Sequence, residues 1–169
     1  MEIVFNRAGL VAHVVACSKI QTVYLWGGIG NKITENTILK LKSMYPQKYN
    51  EEYYGLLKTY IGKEFYGFDC SGLIKHYFMG GFANYKYNPK LDWNTKMMFD
   101  RSTIKGEIKF MPDVPGTIVY MEGHVGVYIG GGCVIESTPA FRVGGGVQKT
   151  YLDEREWTNW FQHSLFGTI

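Results

Sequence analysis

A change of hydrophobic period near Gly116 limits this chain more than any other feature of its sequence: apolar residues recur at helical spacing before it and alternate after it. On the helical side, Asn6 can cap a helix over Arg7–Lys19, where Val11, Val14, Val15 and Ser18 recur at i, i+3, i+4 and i+7. Thr22–Gly28 is an apolar segment that stops at paired glycines. Residues 31–66 read as two short helices. The first carries Ile38, Leu41 and Met44 and ends before Pro46; the second is capped by Asn50, has Glu51 and Glu52 in its first turn and stops at Gly62. A further helix starts at Asp69 and ends near Gly80, with Leu73, Ile74, Tyr77 and Phe78 as its apolar stripe. Residues 82–115 are loop-rich, with a short helix around Thr95–Asp100. The alternating segments are Thr117–Met121, His124–Ile129, Cys133–Ser137, Val147–Leu152 and Ser164–Ile169, separated by Gly or polar turns. Helices followed by a meander of strands predict an α+β fold with an antiparallel sheet of about five strands.

The length of 169 residues suits one domain, 1–169, with 31–66 as a helical insertion packed against it. A formal charge of +3 without a Lys/Arg cluster argues against nucleic acid and allows only loose attraction to an anionic polymer. No apolar run approaches the ~18 residues of a membrane span, so no membrane partner is expected. Glu2, Arg7 and His13 break up any secretory signal, which predicts export without a Sec leader or none. The three cysteines, Cys17, Cys70 and Cys133, are odd in number and irregularly spaced, so they read as free thiols. Neither Asp/Glu nor His/Cys spacing suggests a metal site.

Candidate chemistry gathers at Gly67-Phe-Asp-Cys-Ser-Gly-Leu73. With Asp69 as N-cap, Cys70 becomes the first helical residue, where free backbone N–H groups and the helix dipole favour a thiolate. The alternative is a buried structural cysteine. Gly72 leaves room for close approach of substrate or backbone. A nucleophilic thiol needs a base, and His124 opens the strand His-Val-Gly-Val-Tyr-Ile on the face opposite Val125, Val127 and Ile129. If Gly130–Gly132 form a three-residue loop, Ile129 faces Cys133 and Val127 faces Ile135. His124, Tyr128 and Glu136 then share the other face. Glu136 is a diagonal neighbour of His124, placed to orient the imidazole, and Cys133 is core packing.

Four segments carry a resemblance: Val23–Gly28, Phe68-Asp-Cys-Ser-Gly-Leu-Ile74, Pro115-Gly-Thr-Ile-Val-Tyr120 and Gly123–Ser137. In these the chain resembles the NlpC-type cell-wall cysteine peptidases, bacterial and phage enzymes with a papain-like fold. The resemblance implies Cys70 as nucleophile and His124 as base. It places Tyr24 beside the oxyanion region, with Asp69 and Ser71 at the position that contacts a free peptide amine. It implies action on bacterial peptidoglycan stem peptides, commonly between γ-D-glutamate and a diamino acid, by a monomer without metal or organic cofactor. Three departures stand out. Glu136 replaces the usual His, Asn or Gln, Thr117 replaces an Asp and alters strand-edge bonding, and the 31–66 hairpin is long and borders the cleft. An N-acetylmuramoyl-L-alanine amidase, a non-catalytic wall-peptide binding module and an unrelated acyl or amide hydrolase are the competing readings. A phage lysin released through a pore, or a domain of a larger exported protein, fits the expected lack of a Sec signal.

Overall fold

The computed structural model describes residues 4–169. Helix α1 (Arg7–Ser18) begins where the Asn6 side chain accepts a hydrogen bond from Gly9 N, and it turns Leu10, Val14 and Cys17 inward at i, i+4 and i+7. Strands β1 (Thr22–Tyr24), β2 (Ile29–Lys32) and β3 (Tyr66–Phe68) form a small sheet in the order β1-β3-β2, with β1 and β3 parallel. Strands this short show no alternation to read. Between β2 and β3 lie α2 (Glu35–Met44), capped by Thr34, and α3 (Glu51–Lys58), capped by Asn50. Their Ile38, Leu41 and Leu57 pack with Val23, Leu25, Ile33 and Tyr49 in a core of their own. Two tyrosines tie this hairpin to the segment after β1. Tyr53 Oη donates to Tyr24 O (2.8 Å) and accepts from Trp26 N (3.0 Å), and Tyr49 Oη donates to Trp26 O (2.7 Å).

Helices α4 (Cys70–Phe78), α5 (Gly81–Asn84) and α6 (Thr95–Arg101) follow, then strands β4 (Lys105–Glu107), β5 (Ile118–Met121), β6 (His124–Gly130), β7 (Cys133–Thr138), β8 (Gly146–Tyr151) and β9 (Asn159–Phe161). The six strands form an antiparallel sheet in the order β4-β9-β5-β6-β7-β8. One face packs on α1 and α4 through Leu10, Val14, Leu73, Ile74, Val125, Val127 and Ile135. The opposite face is covered by Trp157 against Val119, Tyr128 and Val134. The α+β class with its papain-like helix-on-sheet arrangement is as expected, and the sheet has six strands where about five were anticipated.

The differences are local. The last strand is Asn159–Phe161, not Ser164–Ile169, and it returns to pair with β5, so only β5 to β8 form a meander. Leu165 and Phe166 are apolar because they pack against the core from a turned tail, which Gly167 N and Thr168 O hydrogen-bond to Phe5. β4 lies in the stretch read as loop and forms an edge of the sheet. The β6–β7 turn is Gly131-Gly132, both at positive φ (60° and 75°), because Gly130 rather than Ile129 pairs with Cys133. Two residues at positive φ match the twist of a hairpin. An irregularity between Tyr128 and Gly130 absorbs the extra residue, so Val127 still faces Ile135 and the expected faces survive. Cys133, paired with Gly130 at the rim, is only half-buried and is not core.

Candidate active site

The N-terminus of α4 is built by two loops that interlock. Asp69 caps the helix: its Oδ1 accepts from Gly72 N (2.6 Å) and Ser71 Oγ (3.2 Å), and its Oδ2 accepts from Gly27 N (3.0 Å). In return, Asp69 N donates to Gly28 O (3.0 Å). A Cβ on Gly72 would lie 1.8 Å from that same carbonyl oxygen, so the close approach foreseen there is made by backbone, not by substrate. Trp26-Gly-Gly28 and Asp69–Gly72 are thus one structural unit, and it sets Cys70 as the first residue of α4, with 7% of its surface exposed.

Placement at a helix start does not lower the thiol pKa here. Burial, then the neighbouring Asp69 carboxylate, push the Cys70 thiol up to about 12, outweighing the hydrogen bonds from the Val125, Ser71 and Cys70 backbone. The expectation of a preformed thiolate is therefore corrected: a dipole acting over one helical turn is weaker than desolvation of an anion. Asp69 is raised above the usual carboxylate range by burial, with Lys75 and its three donors pulling it back. Tyr24 lies beside the same thiol, its hydroxyl pushed up by burial and by the proximity of Cys70 and Asp69.

Strand β6 brings the imidazole to this point. Cys70 Sγ lies 3.8 Å from the carbonyl oxygen of Gly123 and is also bonded by the Val125 backbone, so the thiol sits against the chain on both sides of His124. His124 Nε2 is 2.9 Å from Glu136 Oε1, as the diagonal register predicts. Glu136 is fully buried. Its Oε1 is also 3.2 Å from an Arg155 guanidinium nitrogen, and its Oε2 accepts from Thr150 Oγ1 (2.7 Å). A buried carboxylate with a cation and a hydroxyl donor is compensated for the loss of water. Trp157 stacks on the His124 ring (5.4 Å, 11°), and Gly126, opposite Glu136, has no room for a Cβ between Val134, Trp157 and Glu136.

The two halves meet on a cleft of about 1240 Å³. Tyr24, Trp26, Cys70 and Ser71 line one part, Lys40 and Met44 of α2 another, so the 31–66 hairpin does border the cleft. Of the six residues singled out from the sequence, Tyr24, Asp69, Cys70 and Ser71 line this cleft; His124 follows its Gly123 edge in the chain, and Glu136 lies buried behind it. Ser71 is buried and bonded to Asp69, and Thr117 is a buried strand-edge residue that donates to Val114 O (2.7 Å) and accepts from Gln162 (2.8 Å). Sequence reasoning missed Arg155, Thr150 and Trp157, which follow no motif and gain meaning only when β8 and the segment after it fold onto the sheet; Gly126 lies inside the His-Val-Gly-Val-Tyr-Ile strand but is given no role there by the sequence reading. It also passed over a set of metal-ligating type. His13 and Cys17, one turn apart on α1, meet His76 of α4, and their ligand atoms all lie within 4.8 Å of one another. The spacing His13-x-x-x-Cys17 was the available signal.

A family model described as NlpC/P60 matches residues 21–165. Among solved structures, the NlpC/p60 domain of the peptidoglycan hydrolase SagA shares 16% identity at a TM-score of 0.52, covering 94% of this chain and 99% of that one. The resuscitation-promoting-factor-interacting protein RipA shares 20% at 0.53, covering 93% of this chain and 61% of that one. The P60 domain of an antigen from M. avium subspecies paratuberculosis shares 18% at 0.52, covering 94% and 97%. These likenesses establish a common fold. No curated protein sequence matches the chain.

Proposed function

The chain belongs to the NlpC/P60 family of cysteine peptidases that act on the cell wall, and from that premise we propose that Cys70, His124 and Glu136 hydrolyse a stem-peptide bond of bacterial peptidoglycan, between γ-D-glutamate and the diamino acid. The observation that carries this reading is the division of labour around His124. Its Nε2 is committed to buried Glu136, while the Cys70 thiol packs against the backbone on both sides of it. A carboxylate on Nε2 holds the tautomer whose Nδ1 lone pair is free to take a proton.

Because burial favours the neutral thiol, the proton leaves Sγ for His124 Nδ1 as sulfur attacks the scissile carbonyl. Glu136 stabilises the imidazolium formed. The Cys70 backbone N–H, at the open end of α4, and the Tyr24 hydroxyl are the donors for the developing oxyanion. His124 returns the proton to the departing amine; water, deprotonated by the same ring, then attacks the thioester carbonyl, the carboxylic product leaves, and Cys70 Sγ takes the proton back from His124. Asp69 already accepts three hydrogen bonds from the fold, so its main part is to hold Gly27, Ser71 and Gly72 in place. With Ser71 it lines the cleft, and in this reading the two would contact the free amine of a stem peptide. Among the described residues no helix is long and apolar enough to cross a membrane.

Digestion of purified peptidoglycan, followed by mass spectrometry of the soluble fragments, tests this. The expected products carry a new amino terminus on the diamino acid. Release of whole stem peptides beginning at L-alanine would show an amidase instead, and a protein that sediments with walls yet releases nothing would show a binding module.

A further inference from the structure

We propose that His13, Cys17 and His76 form a site for a zinc-type divalent transition-metal ion, which pins the end of α4 to α1. His13 Nε2 lies 3.3 Å from His76 Nδ1 and 3.5 Å from Cys17 Sγ. With Zn–N bonds of about 2.0–2.1 Å and Zn–S bonds of about 2.3 Å, the edges of a tetrahedron are about 3.3 Å between two nitrogens and about 3.5 Å between nitrogen and sulfur. Two of the three edges therefore have the lengths that a shared ion would impose, and the third, between Cys17 and His76, is no longer than 4.8 Å.

Hydrogen bonding explains the cluster less well. An imidazole nitrogen offers either one lone pair or one hydrogen, and His13 Nε2 faces two partners at once. An ion engages a lone pair from each of the three atoms. Binding forms one Zn–S and two Zn–N bonds and breaks the Cys17 S–H bond, whose proton passes to solvent.

The ligands are held in advance. His13 and Cys17 are at i, i+4 on one face of α1. The His76 ring is wedged between Gly30, where a Cβ would lie 2.9 Å from Nε2, and the edge of Phe68 (5.4 Å, 81°). Its Nδ1 is thereby the nitrogen turned to His13. The exposed rings of Phe82 and Tyr85 lie within 5.2 Å of His76 and form a rim open to solvent, leaving the fourth position to water. Cys70 starts α4 and His76 stands in its last turn, about 9 Å away along the axis, so the site is separate from the chemistry of the cleft.

The test uses the Cys70→Ala protein, so that the cleft thiol cannot capture the ion. Titrated with Co²⁺ under reducing conditions, it should take up one equivalent and develop a thiolate-to-cobalt charge-transfer band in the near ultraviolet, which Zn²⁺ then removes. Cys17→Ser in the same background should abolish the band. His76→Gln should weaken uptake at least about tenfold and cancel the rise in unfolding midpoint that Zn²⁺ produces in its parent. No charge-transfer band in the Cys70→Ala protein, or one that survives Cys17→Ser, overturns the site. If Cys17→Ser does not fold, a band and uptake left unchanged by His76→Gln overturn it.

Discussion

Gly72→Ala is expected to lower stability by more than about 4 kcal/mol, whereas Gly55→Ala should raise it by up to about 1 kcal/mol. Both glycines are helical, and on propensity alone either change is favourable. What decides the sign is space. A Cβ at Gly55 on α3 meets nothing within 4 Å, but at Gly72 it lands 1.8 Å from Gly28 O and 2.9 Å from Asp69 Oδ1. Neither neighbour is a flexible side-chain end. Gly28 O is the acceptor for Asp69 N, and Asp69 holds the first turn of α4, so relief of the clash takes the helix cap and the setting of Cys70 with it. For a domain of this size each kcal/mol corresponds to roughly 2–4 °C in unfolding midpoint. Thermal denaturation followed by circular dichroism should therefore place Gly72→Ala about 8 °C or more below the parent, or unfolded. A Gly72→Ala protein as stable as its parent would show that the two loops do not interlock.

The second large effect is loss of stability in mild acid. His163 is sandwiched between Phe78 (4.0 Å) and Trp93 (5.5 Å), and burial lowers its pKa to about 3. Burial likewise lowers His13, with help from His76, and His76 to about 4. A base whose folded pKa is depressed below the unfolded value of about 6.5 binds protons more readily when unfolded. Its stabilising contribution is complete above that value and is lost as pH falls through it toward the folded pKa. At pH 5 each ring has given up about 2 kcal/mol. Allowing half for relaxation, three rings remove roughly 3 kcal/mol, or about 6–12 °C. Asp69, raised by burial, works in the opposite direction. An ion held by His13 and His76 leaves the sign unchanged, because protons compete with it. The unfolding midpoint measured at pH 7, 6 and 5 should fall steeply, and His163→Phe should flatten part of the fall. A midpoint that stays level to pH 5 would contradict the buried neutral rings.

Much of this arrangement could be read from residue order. The caps at Asn6, Asn50 and Asp69 mark helix starts because each side chain accepts the bond its position predicts. The face shared by His124 and Glu136 follows from side-chain alternation, since a charge at position 136 cannot sit on the apolar side. The hairpin loop misled because Gly130, Gly131 and Gly132 are equivalent in a sequence, while the pairing distinguishes the strand residue Gly130 from the two turn residues. Ser164–Ile169 misled because a turned tail buries Leu165 and Phe166 as well as a strand would. The thiol of Cys70 misled for a different reason. Local placement points to an anion, but the thiol is buried where β6 packs over it, a contact that no local pattern records, and the adjacent Asp69 charge adds to the rise. Arg155 and Thr150 escaped notice on the same ground: they meet Glu136 only across the folded sheet.

The central claim is that the Cys70 thiol does the chemistry, and the rate at which Cys70→Ala releases soluble fragments from purified peptidoglycan tests it most directly. The cysteine side chain is small, so the variant should keep its fold, with an unfolding midpoint close to the parent. The rate should fall at least about a thousandfold, as expected when the nucleophile of a unit that works together is removed. A folded Cys70→Ala protein that digests walls within tenfold of the parent would contradict it.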